Sequence, residues 1–500
     1  MYRYDKFSWP NASRGQHRKR IVSVEKNCPT VDVTFHPALP VMQVDPLYMS
    51  LSIDISVLAG GYWWEGSQSV KRGLGVNRIP ALDLTQPRLD KYIAALAPFY
   101  LRIGGSEADK VSYLEQTCKD NLFIAESQWH ELHNLLSRHK LKLFFTAKYG
   151  LFQRQQHGSW EGQELETLLQ HSLQQSLQME VIELGNELNA YWIFHGLSAQ
   201  PGPKKLARDY NTFAAMVRKY YPSAKICGPG SAYWPKIGEA GAPFSNLTRS
   251  FLEQVDPSSI DIIDWHYYPY QSRRSPIRTR TATQNAMLNP KSFGDFAKYT
   301  RTLLHWRDRY QPHAELWTGE SGSAQCGGQP GLSDRWISSF WWADQLGQGA
   351  QLGQKVMIRQ SLIGGEYGLL DRVSLTPRPD FWVSFMWANL MGDHAIPVLV
   401  ADDKIRAYCH SSKDGQSKTL MLINLSPHMK QIDSTALGTV VDQYEITADS
   451  LDAENVYINA IASEELADHL EFSSIPVDEV APFIKPFSIN FWTIGNSRLS

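Results

Sequence analysis

Val181-Ile-Glu-Leu-Gly-Asn-Glu187 is a short, largely apolar run that breaks at Gly185 and ends in an amide and a carboxylate. Glu315-Leu-Trp-Thr-Gly-Glu320 has the same plan. Each reads as a buried strand with a glutamate at its C-terminal end. Working outward, comparable runs occur at 49–55, 99–103, 141–146, 225–227, 260–265 and 355–359, which makes eight in all. Amphipathic segments separate them. Leu89, Tyr92, Ile93 and Leu96 share one helical face, as do Trp129, Leu132, Leu135 and Leu136. Leu206, Tyr210, Phe213, Val217 and Tyr220 form another stripe, and Phe296, Tyr299, Leu303 and Trp306 a fourth. The spacing follows the 3.6-residue period. Eight strands alternating with helices predict an α/β fold, a (β/α)8 TIM barrel.

Barrel chemistry sits at the C-terminal ends of the strands. Those ends carry Asp54, Gly104-Gly105-Ser106, Lys148-Tyr149, Asn186-Glu187, Gly228-Pro229-Gly230, His266-Tyr267-Tyr268, Glu320 and Gln360. Glu187 and Glu320 fall on the fourth and seventh strands, so they face each other across the mouth. Two facing carboxylates are what retaining glycoside hydrolysis needs: one protonates the leaving oxygen and the other attacks the anomeric carbon. The amide of Asn186 beside the acid suits a sugar 2-hydroxyl. Arg102 and Glu183 are either an ion pair within the barrel mouth that holds Asn186-Glu187 in place or unrelated polar residues of the core. A carbohydrate-binding pseudoenzyme is the alternative of another class, and it has no use for the glutamate pair.

Composition narrows the field. The 500 residues carry a net charge of −2, so no global field attracts nucleic acid or a membrane surface. No apolar run is long enough for a membrane-spanning helix. The five cysteines (Cys28, Cys118, Cys227, Cys326 and Cys409) are scattered without CxxC spacing, which indicates neither a disulfide framework nor a zinc site. No ligand-like cluster calls for a metal or an organic cofactor, and a monomer is expected. The first 21 residues are polar, end in Arg14, His17, Arg18, Lys19 and Arg20, and lack an apolar signal core. The chain is therefore expected to be cytoplasmic, or exported and trimmed.

The texture changes near Gly392. Lys413-Asp414-Gly415 separates two strand-like runs, a hairpin signal, and Phe487, Ile489 and Phe491 alternate with polar residues. Near the start, Val31, Val33 and Phe35 alternate with Asp32 and Thr34. The expected organisation is a polar extension over 1–27, a strand within 28–45 that joins a β-sandwich, a catalytic barrel over 46–392 and an all-β C-terminal sandwich over 393–500.

Several stretches together resemble one family: SLSIDIS at 50–56, LRIGGSEAD at 101–109, ELGNELN at 183–189, WHYY at 265–268, RTATQNAMLNP at 280–290, WTGESGSAQCGGQPGLSD at 317–334, MIRQSLIGGEYGLLD at 357–371 and PRPDFW at 377–382. The chain is similar to the heparanase-like β-glucuronidases, family 79 of the glycoside hydrolases, from about residue 40 to its end. The resemblance implies the same barrel and sandwich, with Glu187 as acid/base and Glu320 as nucleophile. It implies that Asn186 contacts the 2-hydroxyl, that Tyr268 bonds the nucleophile, and that Asp54 and Ser106 contact sugar hydroxyls. It also implies that Gly327-Gly328 and Tyr367 bind the glucuronate carboxylate. Backbone amides of such a loop suit an anion. Two departures stand out. Ser106 replaces the family's usual threonine, and Leu188 replaces the proline that usually follows the acid/base, which relaxes the restraint on Glu187. The long excisable segment of vertebrate members is missing after the second strand, so a site open without proteolysis is expected.

Arg273, Arg274, Arg278 and Arg280 follow the sixth strand. Guanidinium groups there suit sulfates or carboxylates, with Arg280 as a candidate substrate contact. The reading is therefore a retaining β-glucuronide hydrolase acting internally on a heparan-sulfate-like acidic polysaccharide. The rivals are an exo-acting enzyme that releases terminal glucuronate from small glycosides, and a barrel hydrolase for a neutral sugar.

Overall fold

The computed structural model describes residues 29–64, 77–114, 122–150, 160–239, 246–476 and 483–495. The polar extension expected over 1–27 lies outside the described residues, as do Cys28 and Cys118.

Eight parallel strands close a barrel: β1 (Met49–Asp54), β2 (Tyr100–Gly104), β3 (Lys142–Ala147), β4 (Val181–Leu184), β5 (Lys225–Trp234), β6 (Ile262–Tyr267), β7 (Glu315–Ser321) and β8 (Val356–Ile363). Each pairs with its sequence neighbours, and β8 pairs with β1 to close the ring. All eight expected strands are present; β5, β7 and β8 run further toward the mouth. The helices that return the chain include Pro87–Leu96, Glu126–His139, Pro203–Tyr220 and Pro290–Tyr310, whose apolar stripes are the buried faces. Three of the four have proline in the first turn, where its missing N–H leaves no hydrogen bond unmade.

The barrel interior is layered by the two-residue period of its strands. Tyr100, Phe144, Val181, Cys227, Ile262, Trp317, Val356 and Ile358 pack as one apolar plug at the bottom. Two residues further along β2, β3, β4 and β6 come Arg102, Thr146, Glu183 and Asp264, all fully buried. The Arg102 guanidinium lies 5.5 Å from the centre of the Phe144 ring, so the charged layer rests on the plug. The next layer up is the mouth.

The C-terminal part is all-β. One sheet runs Met391–Ile396, Ile405–Ser412, Lys418–Asn424, Ile489–Gly495 and Thr439–Thr447 in antiparallel order. Both faces of its three central strands are largely buried. Tyr408, Met421, Ile423, Ile489 and Phe491 join the barrel core. The alternate positions Ile405, Ala407, Cys409, Leu420, Leu422, Trp492 and Ile494 pack on a smaller sheet. Thr30–Phe35 belongs to that smaller sheet, parallel to Lys430–Asp433 and antiparallel to Val398–Val400. The helix Trp336–Gln351 lies between barrel and sheet and is buried on all sides, which explains its lack of a polar face. Tyr408 and Arg406 reach across to Asp344 at 2.6 Å each. Among the described residues, no helix is long and apolar enough to cross a membrane.

Candidate active site

A cavity of about 480 Å³ opens over the C-terminal ends of the strands, lined by Asp54, Ser106, Glu187, Tyr268, Glu320, Gly327, Gln360 and Tyr367 among others. Seven of the ten residues singled out from sequence meet there. Asn186 sits just beneath, and Gly328 and Arg280 do not line it.

Glu320 reaches the cavity because β7 carries a bulge. The register against β8 shifts between Thr318 and Ser321, and the register of β6 against β7 shifts at His266 opposite Glu320. Gly319 lies against Asp264 inside the barrel, while Ser321 turns outward to the carbonyl of Tyr267 and to Gln345. The extra residue lets Glu320 follow Gly319 inward, the usual way a bulge re-aims a side chain. Glu187 lies past the end of β4 with φ 51° and ψ 50°. A left-handed glutamate is a strained backbone position of the kind that gathers at functional sites.

The two carboxylates are set up differently. Glu320 Oε2 accepts from Arg102 Nη1 at 2.7 Å, and Oε1 accepts from the Tyr268 hydroxyl at 2.6 Å. Burial pushes the Glu320 carboxyl up, but His266, Arg102 and the Tyr268 bond outweigh it and hold it below the usual carboxylate range. Among the described residues, Glu187 meets one hydrogen-bonding group, His266 Nδ1, at 3.3 Å from Oε1. Burial, helped by the charge of Glu320, raises the Glu187 carboxyl despite His266. One carboxylate oxygen of each glutamate and the His266 ring nitrogen lie within 4.8 Å of one another. The pair can therefore divide into an ionised nucleophile and a protonated acid at one pH.

Arg102 organises the layer below. Its Nη2 donates to Glu183 at 3.0 Å and to Asn186 Oδ1 at 2.9 Å. The Arg102–Glu183 pair is present, and the Arg102 contact to Glu320 escaped the sequence reading. Asn186 therefore uses its carbonyl oxygen on Arg102. His266, completely buried, also meets Asp264 at 3.4 Å. Burial alone would lower its pKa; the negative field of Glu320, Asp264 and Glu187 instead pushes it up to about 10. That favours the imidazolium form of His266 at neutral pH. Asp264 and His266 alternate along β6 and Tyr268 follows just past its end, and that two-residue spacing was the available signal.

Asp54 caps the helix Ile55–Ala59 by accepting from the Ser56 N–H at 2.9 Å. Burial and the nearby charge of Glu320 raise its carboxyl to about 8, so it can donate to a hydroxyl at neutral pH. Gly105, with φ 104°, has no room for a side chain because Asp54 presses against it.

The glycine loop differs from expectation in one respect. Gly328 N–H already donates to the carbonyl of Ala324 at 3.1 Å, so it is not an open anion donor. Gly327 does line the cavity, and Gln360 Nε2 meets the Tyr367 hydroxyl at 3.5 Å. The loop docks on the segment after β8 through Glu366 N–H to Gly327 O at 2.7 Å. Arg274 holds it from the other side, with a two-pronged ion pair to Glu366 and bonds to the carbonyls of Cys326 and Gly328.

The arginine cluster therefore does not face substrate as a unit. Arg274 is buried against Glu366. Arg280 pairs with Asp295 at 2.7 Å and donates to the Ser292 carbonyl at 3.0 Å, which corrects its expected substrate contact. Arg273 and Arg278 are exposed.

Two buried groups have metal-like spacing, Glu183–Asp264–His266 and Glu187–His266–Glu320, and a third, Glu126–His130–His171, lies on the outer helices. In the two buried groups Arg102 and His266 already provide the positive charge that a cation would bring.

The pattern described as "Glycosyl hydrolase family 79, N-terminal domain" matches residues 62–347, more than half of the chain. The chain belongs to glycosyl hydrolase family 79. Heparanase-like protein 1 of Arabidopsis thaliana is 28% identical over 70% of this chain and 66% of its own length, so the chain spans just under two thirds of that relative. Heparanase of Gallus gallus is 25% identical over 92% of this chain and 94% of its own. Baicalin-beta-D-glucuronidase of Scutellaria baicalensis is 24% identical over 82% and 80%. Among solved structures, a family 51 alpha-L-arabinofuranosidase from Bifidobacterium longum matches with a TM-score of 0.66 at 11% identity, covering 94% of this chain and 100% of that one. A 4-O-alpha-L-rhamnosyl-beta-D-glucuronidase from Fusarium oxysporum matches with 0.63 at 15%, covering 94% and 99%. These last two establish the barrel-plus-sheet fold of this family 79 chain.

Proposed function

We propose that this family 79 protein hydrolyses β-D-glucuronides with retention of configuration. The observation that carries the reading is the Glu187–Glu320 pair, with carboxylate oxygens within 4.8 Å and opposite pKa displacements. Retaining enzymes hold their carboxyl groups roughly 5–5.5 Å apart, and inverting ones leave space for a water between. Glu320 attacks the anomeric carbon while Glu187 protonates the departing oxygen. Glu187 then takes a proton from water as the glycosyl–Glu320 ester is cleaved. Gly327 and Tyr367 are the groups assigned to the glucuronate carboxylate, with Asp54, Ser106 and Asn186 on the hydroxyls. The names of the heparanase relatives and the exposed Arg273 and Arg278 favour a second reading, internal cutting of a heparan-sulfate-like polymer.

A panel of 4-nitrophenyl glycosides tests the sugar, and proton NMR of the first product tests the stereochemistry. The expected result is preference for the β-glucuronide over the β-glucoside and the α-L-arabinofuranoside, with β-glucuronate appearing before mutarotation. Faster cleavage of a neutral sugar, or an α product first, overturns the reading.

The pH profile of kcat/KM should be bell-shaped. Activity falls in acid as Glu320 is protonated and in base as Glu187 is ionised. His266→Gln removes a cation that lowers both carboxyls, so both limbs should move to higher pH. Limbs that stay in place would show that His266 does not set the charge of the pair.

A further inference from the structure

The cavity has two chemically different halves, and the strand order says which one receives the leaving group. Asp54, Ser106, Gly327, Gln360 and Tyr367 come from β1, β2, the loop after β7, β8 and the loop after β8. The other half is built on β4, β5 and β6. It carries Glu187 with Ile193, Trp234, Pro276 and Ile277, plus Ser275. An acid must sit on the oxygen it protonates, so the aglycone lies on the Glu187 side.

This half is a formed apolar surface. Trp234 packs with Ala190, Ala232 and Ile193. Thr279 Oγ1 donates to the Pro235 carbonyl at 2.7 Å, tying the loop after β6 to the end of β5. Ser275 Oγ donates to the Ile277 carbonyl at 2.7 Å and closes the turn that presents Pro276 and Ile277. Among the described lining residues there is no lysine or arginine. Arg274 and Arg280 are held by Glu366 and Asp295. Among the described residues, a sulfate or carboxylate placed here would meet apolar walls and the Glu187 carboxyl with no lysine or arginine lining this half to pair it, which is unfavourable.

We propose that Ile193, Trp234, Pro276 and Ile277 form a leaving-group subsite for apolar, preferably planar aglycones, and that the enzyme cleaves glucuronides of aromatic or lipophilic alcohols ahead of sulfated glycans. The proposal rests on the glucuronidase reading above and adds the aglycone class to it.

The test compares leaving groups of similar acidity, so that bond breaking is matched and only the apolar area differs. For the full chain, kcat/KM is measured on methyl and 2-phenylethyl β-D-glucuronide and on glucuronate linked to a sulfated glucosamine. The expected result is a preference for the phenylethyl over the methyl glycoside of about tenfold or more, with the sulfated disaccharide no better than the methyl glycoside. Ile277→Asp, at an exposed position, should bring the phenylethyl-to-methyl ratio toward one, and Trp234→Ala should do the same if its melting curve shows it folded. A wild-type ratio within about twofold of one, or preference for the sulfated leaving group, overturns the proposal while leaving glucuronidase activity standing. If the panel above identifies another sugar, the same two alcohols on that sugar read the subsite, and the glucuronide part alone is lost. Inactivity on every glycoside overturns both.

Discussion

Glu320→Ala should lose hydrolysis of every substrate by on the order of 10⁴-fold or more, whereas the loss in Glu187→Ala should depend on the leaving group. The asymmetry follows from the two environments. Glu320, held ionised by Arg102, His266 and Tyr268, is the group proposed to form the glycosyl ester. Glu187 is proposed to protonate the departing oxygen, and an acidic phenol such as 2,4-dinitrophenol leaves without that help. Glu187→Ala should therefore still form the ester rapidly from the dinitrophenyl glucuronide and accumulate it. Azide should then rescue turnover, giving the β-glycosyl azide from Glu187→Ala and the α-glycosyl azide from Glu320→Ala. Chromophore release and NMR of the azide products check this. Equal losses on good and poor leaving groups in both variants, or the opposite anomers, would remove the assigned roles.

Arg102→Met should destabilise the fold by roughly 3–5 kcal/mol, the range for removing one partner of a buried ion pair, and should lower kcat/KM further than the population of folded protein accounts for. Arg102 is fully buried and bonds Glu320, Glu183 and Asn186 at 2.7–3.0 Å. Its loss takes the guanidinium donor from two carboxylates and an amide oxygen, leaving Glu320 only Tyr268 and Glu183 only Thr146 among the described donors. The neighbouring charges raise the Arg102 pKa although burial opposes them, so it stays ionised across the working range. Without it, Glu320 becomes easier to protonate, and the acid limb of the pH profile should move up. Denaturant melts at several pH values and kcat/KM profiles of the folded variant separate the two effects. A variant with near-native stability and an unmoved acid limb would show that the layer does not depend on this guanidinium.

Much of the molecule was legible before any coordinates. The strand runs and helical stripes are written in residue polarity at fixed periods, and these are local properties. The order of the strand ends put Asp54, Ser106, Glu187, Tyr268 and Glu320 on one rim for the same reason. The apolar alternation of Val31 and Val33 marked a strand, and in the structure it pairs beside Lys430–Asp433. Ile405–Ser412 and Lys418–Asn424 were legible as a hairpin, but not as a sheet buried on both faces, since that depends on the barrel helices lying against it.

What sequence alone determined is the repeating unit, the barrel it closes and the two glutamates that face each other over its mouth. Periodicity and strand polarity are short-range, and a closed ring leaves little choice of where the C-terminal ends point. The tertiary structure decided the rest. The bulge in β7 turned Glu320 inward, against the two-residue alternation that starts from Trp317. Glu366 and Asp295, 92 and 15 residues further along the chain, claimed Arg274 and Arg280 and dissolved a cationic cluster that looked continuous along the chain. Ala324 took the N–H of Gly328. Partners of this kind are chosen by three-dimensional proximity inside a low-dielectric interior, where an unpaired charge or N–H is costly, and linear spacing does not reveal which partner will be there.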